Sequence, residues 1–260
     1  MIKEEIKFQN STVFEGMTSI RSIIKGCELG INDRKIKEIY YDKDKIVKNA
    51  KNIGYLKAVS LKFGFKVTEK REEDLNELTL GNSHGGIIAL ASERNIPRLS
   101  PATDIINAGF YCMIQGIEDP YNFGYSLRSL YACGCNGIIL PERNWMSAAG
   151  VVARSSAGAS ELFPIFTAAP EEAVDIFHSK NYTVICADER CDNILGECEI
   201  KMPVLLIVGG EKRGISKSLI DKTDMLIKIN YAREFRASLS AASATTMFAY
   251  EIMRQNQKLP

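Results

Sequence analysis

The 260-residue chain is 45% hydrophobic and 25% charged, the balance of an ordinary globular protein with room for one large domain or two of moderate size. A net charge of +1 excludes a bulk field as the means of finding a polyanion, and no apolar run approaches the roughly 18 residues that span a bilayer. The opening "MIKEEIKFQN" lacks an export-signal core, and the seven Cys are odd in number and lack zinc-site spacing, so a cytoplasmic chain with inert thiols, no metal and no membrane association is expected.

In chain order, "FEGMTSIRSIIKGCELG" places Ile20, Ile23, Ile24 and Cys27 on one helical face, with Gly30 as a stop. "KIKEIYYD" reads as a strand, and "KDKIVKNAKNIGYLKAVSLKFG" as a long helix ending near Gly64. "FKVTE" is extended, "REEDLNELTL" helical and "GGIIALAS" a buried strand, which together make a compact α/β unit over residues 1–95. The two Pro and weak periodicity of the run that follows mark a linker at about residues 96–108. Up to that point the chain carries 18 Lys and Arg against 15 Asp and Glu; beyond it, 15 against 17.

The second half, 109–260, restarts with the apolar "FYCMIQGI" and continues with strands at "GIILP", "LFPIF", "YTVICAD", "PVLLIVGG" and "MLIKI". Helices fall between most of these, and a last helix spans about Ser238 to Arg254. Continuous apolar strands alternating with helices predict a mostly parallel sheet covered on both faces, whose ligands sit at the carboxyl ends of the strands.

Three of those strand ends carry polar loops. In "DPYNFGYSLRSL", Asn122 is placed to cap a helix, Gly124 allows close backbone approach, and Arg128 shares the side of Gly124. In "IVGGEKRGIS", Gly209 and Gly210 leave a buried strand and Glu211 follows; neither dinucleotide-fingerprint nor Walker spacing is present. In "LIKINYAREFRASLSAASA", a strand ends at Ile229 and a polar loop leads to Ser238, which can cap the final helix. Singly, each loop reads as an ordinary cap or turn; on one sheet edge, they read as a site.

These three segments, in this order, resemble the three motifs of the SpoU (TrmH-type) RNA ribose methyltransferases. "ARSSAGASELFPI" is similar to the family's Ser-Ala-Gly-Ala segment, and residues 12–95 to its N-terminal substrate-binding domain. The resemblance implies a SPOUT-type α/β domain with a C-terminal trefoil knot, a homodimer, and methyl transfer from S-adenosylmethionine to a ribose 2′-hydroxyl of rRNA or tRNA, rRNA favoured, without a metal. Carried over by position, Asn122, Arg128, Glu211 and Ser238 are the catalytic candidates, and Gly209, Gly210, Ile229, Leu239 and Ser240 the cofactor contacts.

Arg128 has two roles open to it: proton acceptor, which is awkward for a guanidinium, or clamp on an RNA phosphate. Ser240 departs from the family's usual Asn, and Asn230 stands where a Pro is common. That departure motivates the alternative of a catalytically weakened RNA-binding protein on the same fold. Arg21, Lys25 and His84 are candidate RNA contacts of the first domain, with solvent exposure or, for His84, loop capping as the competing reading.

Overall fold

The computed structural model describes residues 13–79, 84–141, 148–210, 214–235 and 237–256. They form two compact units. The first holds residues up to 95 together with 148–162; the second holds 96–141 and everything from 163 onward.

The first unit is built on a four-stranded sheet in the order β1-β4-β2-β3. β1 (Val13–Glu15) and β4 (Ile87–Ala91) pair antiparallel, β4 and β2 (Ile36–Asp42) antiparallel, and β2 and β3 (Lys66–Lys70) parallel. Its helices are α1 (Gly16–Glu28), α2 (Ile46–Phe63) and α3 (Glu72–Leu78). α1 buries Ile20, Ile23 and Ile24 as its periodicity requires, against Phe14, Ile39, Ile53 and Leu56. Each such side chain contributes about 1.5–3 kcal/mol of transfer free energy. The sequence reading runs α1 back through Phe14 and Glu15; these residues instead form β1, an edge strand of three residues, too short to show an alternating pattern.

Residues 148–162, which contain α5 (Ala149–Ser155), pack in this unit. Ala149 and Ala153 join its core. Gly158, at φ +85°, approaches α1 so closely that a Cβ there would lie 1.9 Å from Ser22 Oγ. The Arg34 Nε donates to Glu161 Oε2 at 2.7 Å, both side chains 3% exposed. Arg34 Nη1 reaches Ser92 O at 2.9 Å, and its guanidinium lies 4.8 Å from the centre of the Phe14 ring. Asn32 Nδ2 donates to Glu161 O at 2.8 Å, and Arg94 Nη1 to Ser160 O at 2.8 Å. A buried charge is tolerated when paired and bonded in this way.

The second unit has a six-stranded sheet in the order β10-β8-β9-β5-β6-β7, parallel at every neighbouring pair. The strands are β5 (Phe110–Gln115), β6 (Gly137–Leu140), β7 (Ile165–Thr167), β8 (Thr183–Ala187), β9 (Val204–Gly209) and β10 (Met225–Ile227). The chain moves outward from β5 to β7, returns beyond β5 to β8, inserts β9 between β8 and β5, then adds β10 outside β8. Ligands of open α/β sheets bind where the strand order reverses in this way.

One face is covered by α6 (Pro170–Ser179) and α7 (Lys217–Ile220), where Phe177 and Leu219 meet Tyr111, Met113, Leu205 and Ile207. The other long helices are α4 (Pro120–Ala132) and α8 (Ala241–Asn256), which pack against each other. The run expected as a linker is anchored on this unit. Leu99 N donates to Thr167 O at 2.8 Å, Thr167 N to Pro97 O at 2.9 Å, and Leu99 and Ile105 are buried. No described helix is long and apolar enough to cross a membrane.

Candidate active site

The carboxyl ends of β8, β9 and β10 open into a cleft of about 780 Å³, a size that suits a small organic ligand. Its walls combine the end of β9 with the stretch from Ile227 to Phe235 and the start of α8. Gly209, Gly210, Ile229, Ser238 and Leu239, all expected from the sequence, line it together. Gly210 is required sterically: a Cβ there would lie 2.0 Å from Gly116 O, where the chain leaves β5. The turn closes with Gly214 N donating to Gly210 O at 3.1 Å. Glu211 lies outside the described residues.

Ser238 is exposed and lines the cleft, but it does not cap the last helix. Ser240 does. α8 begins at Ala241, and Ser240 Oγ accepts the Ser243 N–H at 3.2 Å, the bond of an N-cap to the third helical residue. Ser240 is not among the residues lining the cleft. Its hydroxyl takes a helix-capping role, which Asn fills as well as Ser does.

A similar shift applies to α4. Its cap is Asp119, whose carboxylate accepts the Asn122 N–H at 2.8 Å, with Pro120 in the first turn. Asn122 is thus inside the first turn and is not the cap, because Asp-Pro already supplies both the acceptor and the fixed φ that start a helix. The Arg128 side chain is exposed and makes no hydrogen bond or ion pair among the described residues. Neither Asn122 nor Arg128 lines the cleft formed by its own chain.

Several lining residues carried no signal in the sequence. Tyr231 OH accepts the Leu239 N–H at 3.2 Å, and the Tyr231 and Phe235 rings meet edge-on at 6.0 Å, so the loop from β10 to α8 is pinned by its own aromatic residues. Asp188 follows β8, and its carboxyl is held below the usual range first by hydrogen bonds from the Arg190 side chain. Arg190, Lys228, Arg233 and Glu234 add further charge. Outside the cleft lining, Gln115 Nε2, at the end of β5, is buried with no hydrogen-bond partner among the described residues.

The lining fits an adenosine carrying a charged tail. Ile227, Ile229, Leu239 and Phe248 supply apolar surface for a flat base, bare backbone at Gly209 and Gly210 can meet its polar edge, and the charged residues stand around the same cleft. No group of His, Cys, Asp and Glu among the described residues is placed to hold a metal. All seven thiols are free, and burial raises each of them, Cys135 and Cys186 to about 12.

In the first unit, His84 is not a surface contact. It is 1% exposed, its Nδ1 accepts the Gly86 N–H at 3.0 Å, and its Nε2 lies 2.9 Å from Asn76 Oδ1. This pattern fixes a neutral ring that caps the loop, and burial lowers its proton affinity. Arg21 and Lys25 are exposed; Arg21 bonds Asn52 Oδ1 at 3.2 Å and sits 4.9 Å from the centre of the Tyr55 ring.

Comparison with known proteins places this geometry. The SpoU rRNA Methylase family model matches residues 109–250. YacO of Bacillus subtilis, named as a TrmH family tRNA/rRNA methyltransferase, is 24% identical over 229 residues, 86% of this chain and 90% of its own. The 23S rRNA (guanosine-2′-O-)-methyltransferase RlmB of Shewanella oneidensis is 26% identical over 202 residues, 75% of this chain and 80% of its own. Among solved structures, the AdoMet-bound rRNA methyltransferase of Sinorhizobium meliloti superposes with a TM-score of 0.75 at 22% identity, over 97% of this chain and 94% of that one. A parallel sheet with its cleft at the strand ends, and a family match over more than half of the residues, lead to one conclusion: the chain belongs to the SpoU rRNA methylase family.

Proposed function

We propose that the chain transfers a methyl group from S-adenosylmethionine to a ribose 2′-hydroxyl of RNA, with rRNA favoured over tRNA. The observation that carries this reading is the convergence of Gly209 from the second of the three polar loops with Ile229, Ser238 and Leu239 from the third on one cleft. The relative named for a 23S rRNA guanosine supports the choice of rRNA. In this reading residues 1–95 recognise RNA, 109–260 form the SPOUT methyltransferase domain, and the run from β9 through α8 forms the trefoil knot.

When bound, the donor supplies a methyl group on a sulfonium, already activated for transfer. The chain's own work is placement. Ile229 and Leu239 flank the base, Gly209 admits it against the backbone, and Tyr231 holds Leu239 in position. Ser238, exposed at the cleft, offers a hydroxyl to the incoming ribose. Arg128 clamps the RNA phosphate beside that ribose through its planar donor fork. Since Arg128 and Asn122 lie outside the cleft of their own chain, we assign them to the cleft of a second copy. Exposed Tyr121 and Tyr125 on α4, and Met247 and Tyr250 on α8, provide the apolar surface for that homodimer. They flank the Thr246–Ser129 hydroxyl bond of 2.7 Å that joins the two helices.

The test is incubation with methyl-labelled S-adenosylmethionine and rRNA, followed by nuclease digestion. Label recovered as a 2′-O-methylnucleoside is the expected result. Donor binding without transfer to any RNA would favour a weakened RNA-binding protein. The cap role of Ser240, which Asn would fill as well, gives that departure from the family a structural place.

A further inference from the structure

We infer that Asp188 and Arg190 form a subsite for the zwitterionic amino-acid tail of the methyl donor, an inference that rests on the function proposed above. β8 pairs with β9 at Cys186 and Ile207, and with β10 at Ala187 and Ile227. Both ladders end just before Asp188, which follows β8 and lines the same cleft as Gly209 and Lys228. Asp188 therefore shares the cleft with the backbone that admits the donor.

The turn is built, not loose. Asp188 N donates to Ile227 O at 3.1 Å, and Lys228 N to Asn193 O at 2.9 Å, which laces the loop after β8 along β10. Asp188 Oδ1 accepts the backbone N of Arg190 at 2.8 Å and its Nε at 2.9 Å, and Oδ2 accepts Nη2 at 2.7 Å. The Asp188 side chain is 7% exposed, whereas that of Arg190 is 65% exposed.

Counting donors and acceptors shows what remains. An ionised carboxylate has about four lone-pair sites and a guanidinium five N–H groups. Three acceptor sites on Asp188 and two donors on Arg190 are used, which leaves one acceptor and three donors without a partner among the described residues, on two side chains that line the cleft. That is the complement of an α-ammonium beside an α-carboxylate. A bare anion such as an RNA phosphate fits less well, because it would meet the Asp188 carboxylate without a cation of its own.

The experiment measures equilibrium binding of S-adenosylmethionine and of 5′-methylthioadenosine, the neutral thioether left when the sulfonium loses its amino-acid tail, to the wild-type chain, Arg190→Ala and Asp188→Asn. Arg190→Ala should weaken S-adenosylmethionine binding by about tenfold or more and leave methylthioadenosine within about twofold, since the lost bonds are charge-assisted. Asp188→Asn, which keeps the shape and removes the charge, should move binding in the same direction. Equal losses for both compounds, or no loss for either, overturn the subsite. Loss of RNA binding with unchanged S-adenosylmethionine affinity also overturns it and assigns Arg190 to RNA. Wild-type binding of neither compound overturns the proposed function itself, an outcome distinct from tight wild-type binding with unaltered discrimination.

Discussion

In the first unit the Arg34 guanidinium is 3% exposed, bonded to Glu161 and Ser92 O, and faces the Phe14 ring. In the second unit Arg190 is 65% exposed with donors to spare, and Arg128 is exposed with no partner among the described residues. All three are arginines on α/β scaffolds, yet the first is a fastener and the other two are held ready. The difference lies in whether the chain itself satisfies the donors. A buried charge must be fully paired, because desolvation is costly. A charge left open to water at a sheet or helix edge retains its capacity to bind something else.

The comparison breaks first at the fastener. Glu161→Ala leaves Arg34 buried without its counter-ion and should destabilise the first unit by about 3–5 kcal/mol in denaturant unfolding. Replacing both partners, Arg34→Met with Glu161→Leu, should recover most of that loss, since apolar packing often matches a buried pair. A loss below about 1 kcal/mol in the single variant would show that Arg34 is no more committed than a surface arginine.

Arg128→Ala should leave stability unchanged and lower methyl transfer by about 100-fold, the order of effect expected when a reactant is no longer held in line. Donor affinity, measured separately, should be unchanged. Mixing this variant with Leu239→Arg, whose cleft is blocked, should restore transfer if Arg128 serves the cleft of a second copy; no restoration would return it to its own chain.

Smaller effects sharpen the picture. Ser240→Ala should cost about 1 kcal/mol of stability through the lost cap on α8, while Ser240→Asn should be close to neutral. His84 supplies a pH signature for the first unit. Its folded-state pKa lies below the ordinary value of 6.5, so the unfolded chain binds more protons in the window just below that value. Stability from this residue is complete above about pH 6.5 and declines as pH falls through the folded pKa. Unfolding midpoints measured between about pH 7 and 5 should show the decline in the wild type and less of it in His84→Gln.

Motifs of the second unit were legible because they are local. The Gly209–Gly210 turn, the strand ending near Ile229 and the Ser238–Leu239 approach to α8 each combine an apolar run with a turn residue, and all three reach the cleft. Caps were read less well. Asn122 and Ser238 are good cap types, but Asp119 and Ser240 stand nearer the true helix starts, and a shift of two or three residues is all that separates them. Arg34 and Glu161, 127 residues apart, left no sequence signal, because nothing local marks a pair that meets only in the folded chain. Asp188 and Arg190 look like an ordinary polar turn until the fold brings them to the same cleft as Gly209.

The sequence by itself determined the alternation of buried strands and helices, the turn glycines and the order of three polar loops, since periodicity and turn chemistry act over a few residues. Only the tertiary structure decided that β9 inserts between β8 and β5, that residues 148–162 pack in the first unit, and which charges are buried in pairs and which are left to water. Those outcomes depend on contacts between distant segments, where desolvation and steric fit act and no short pattern records them.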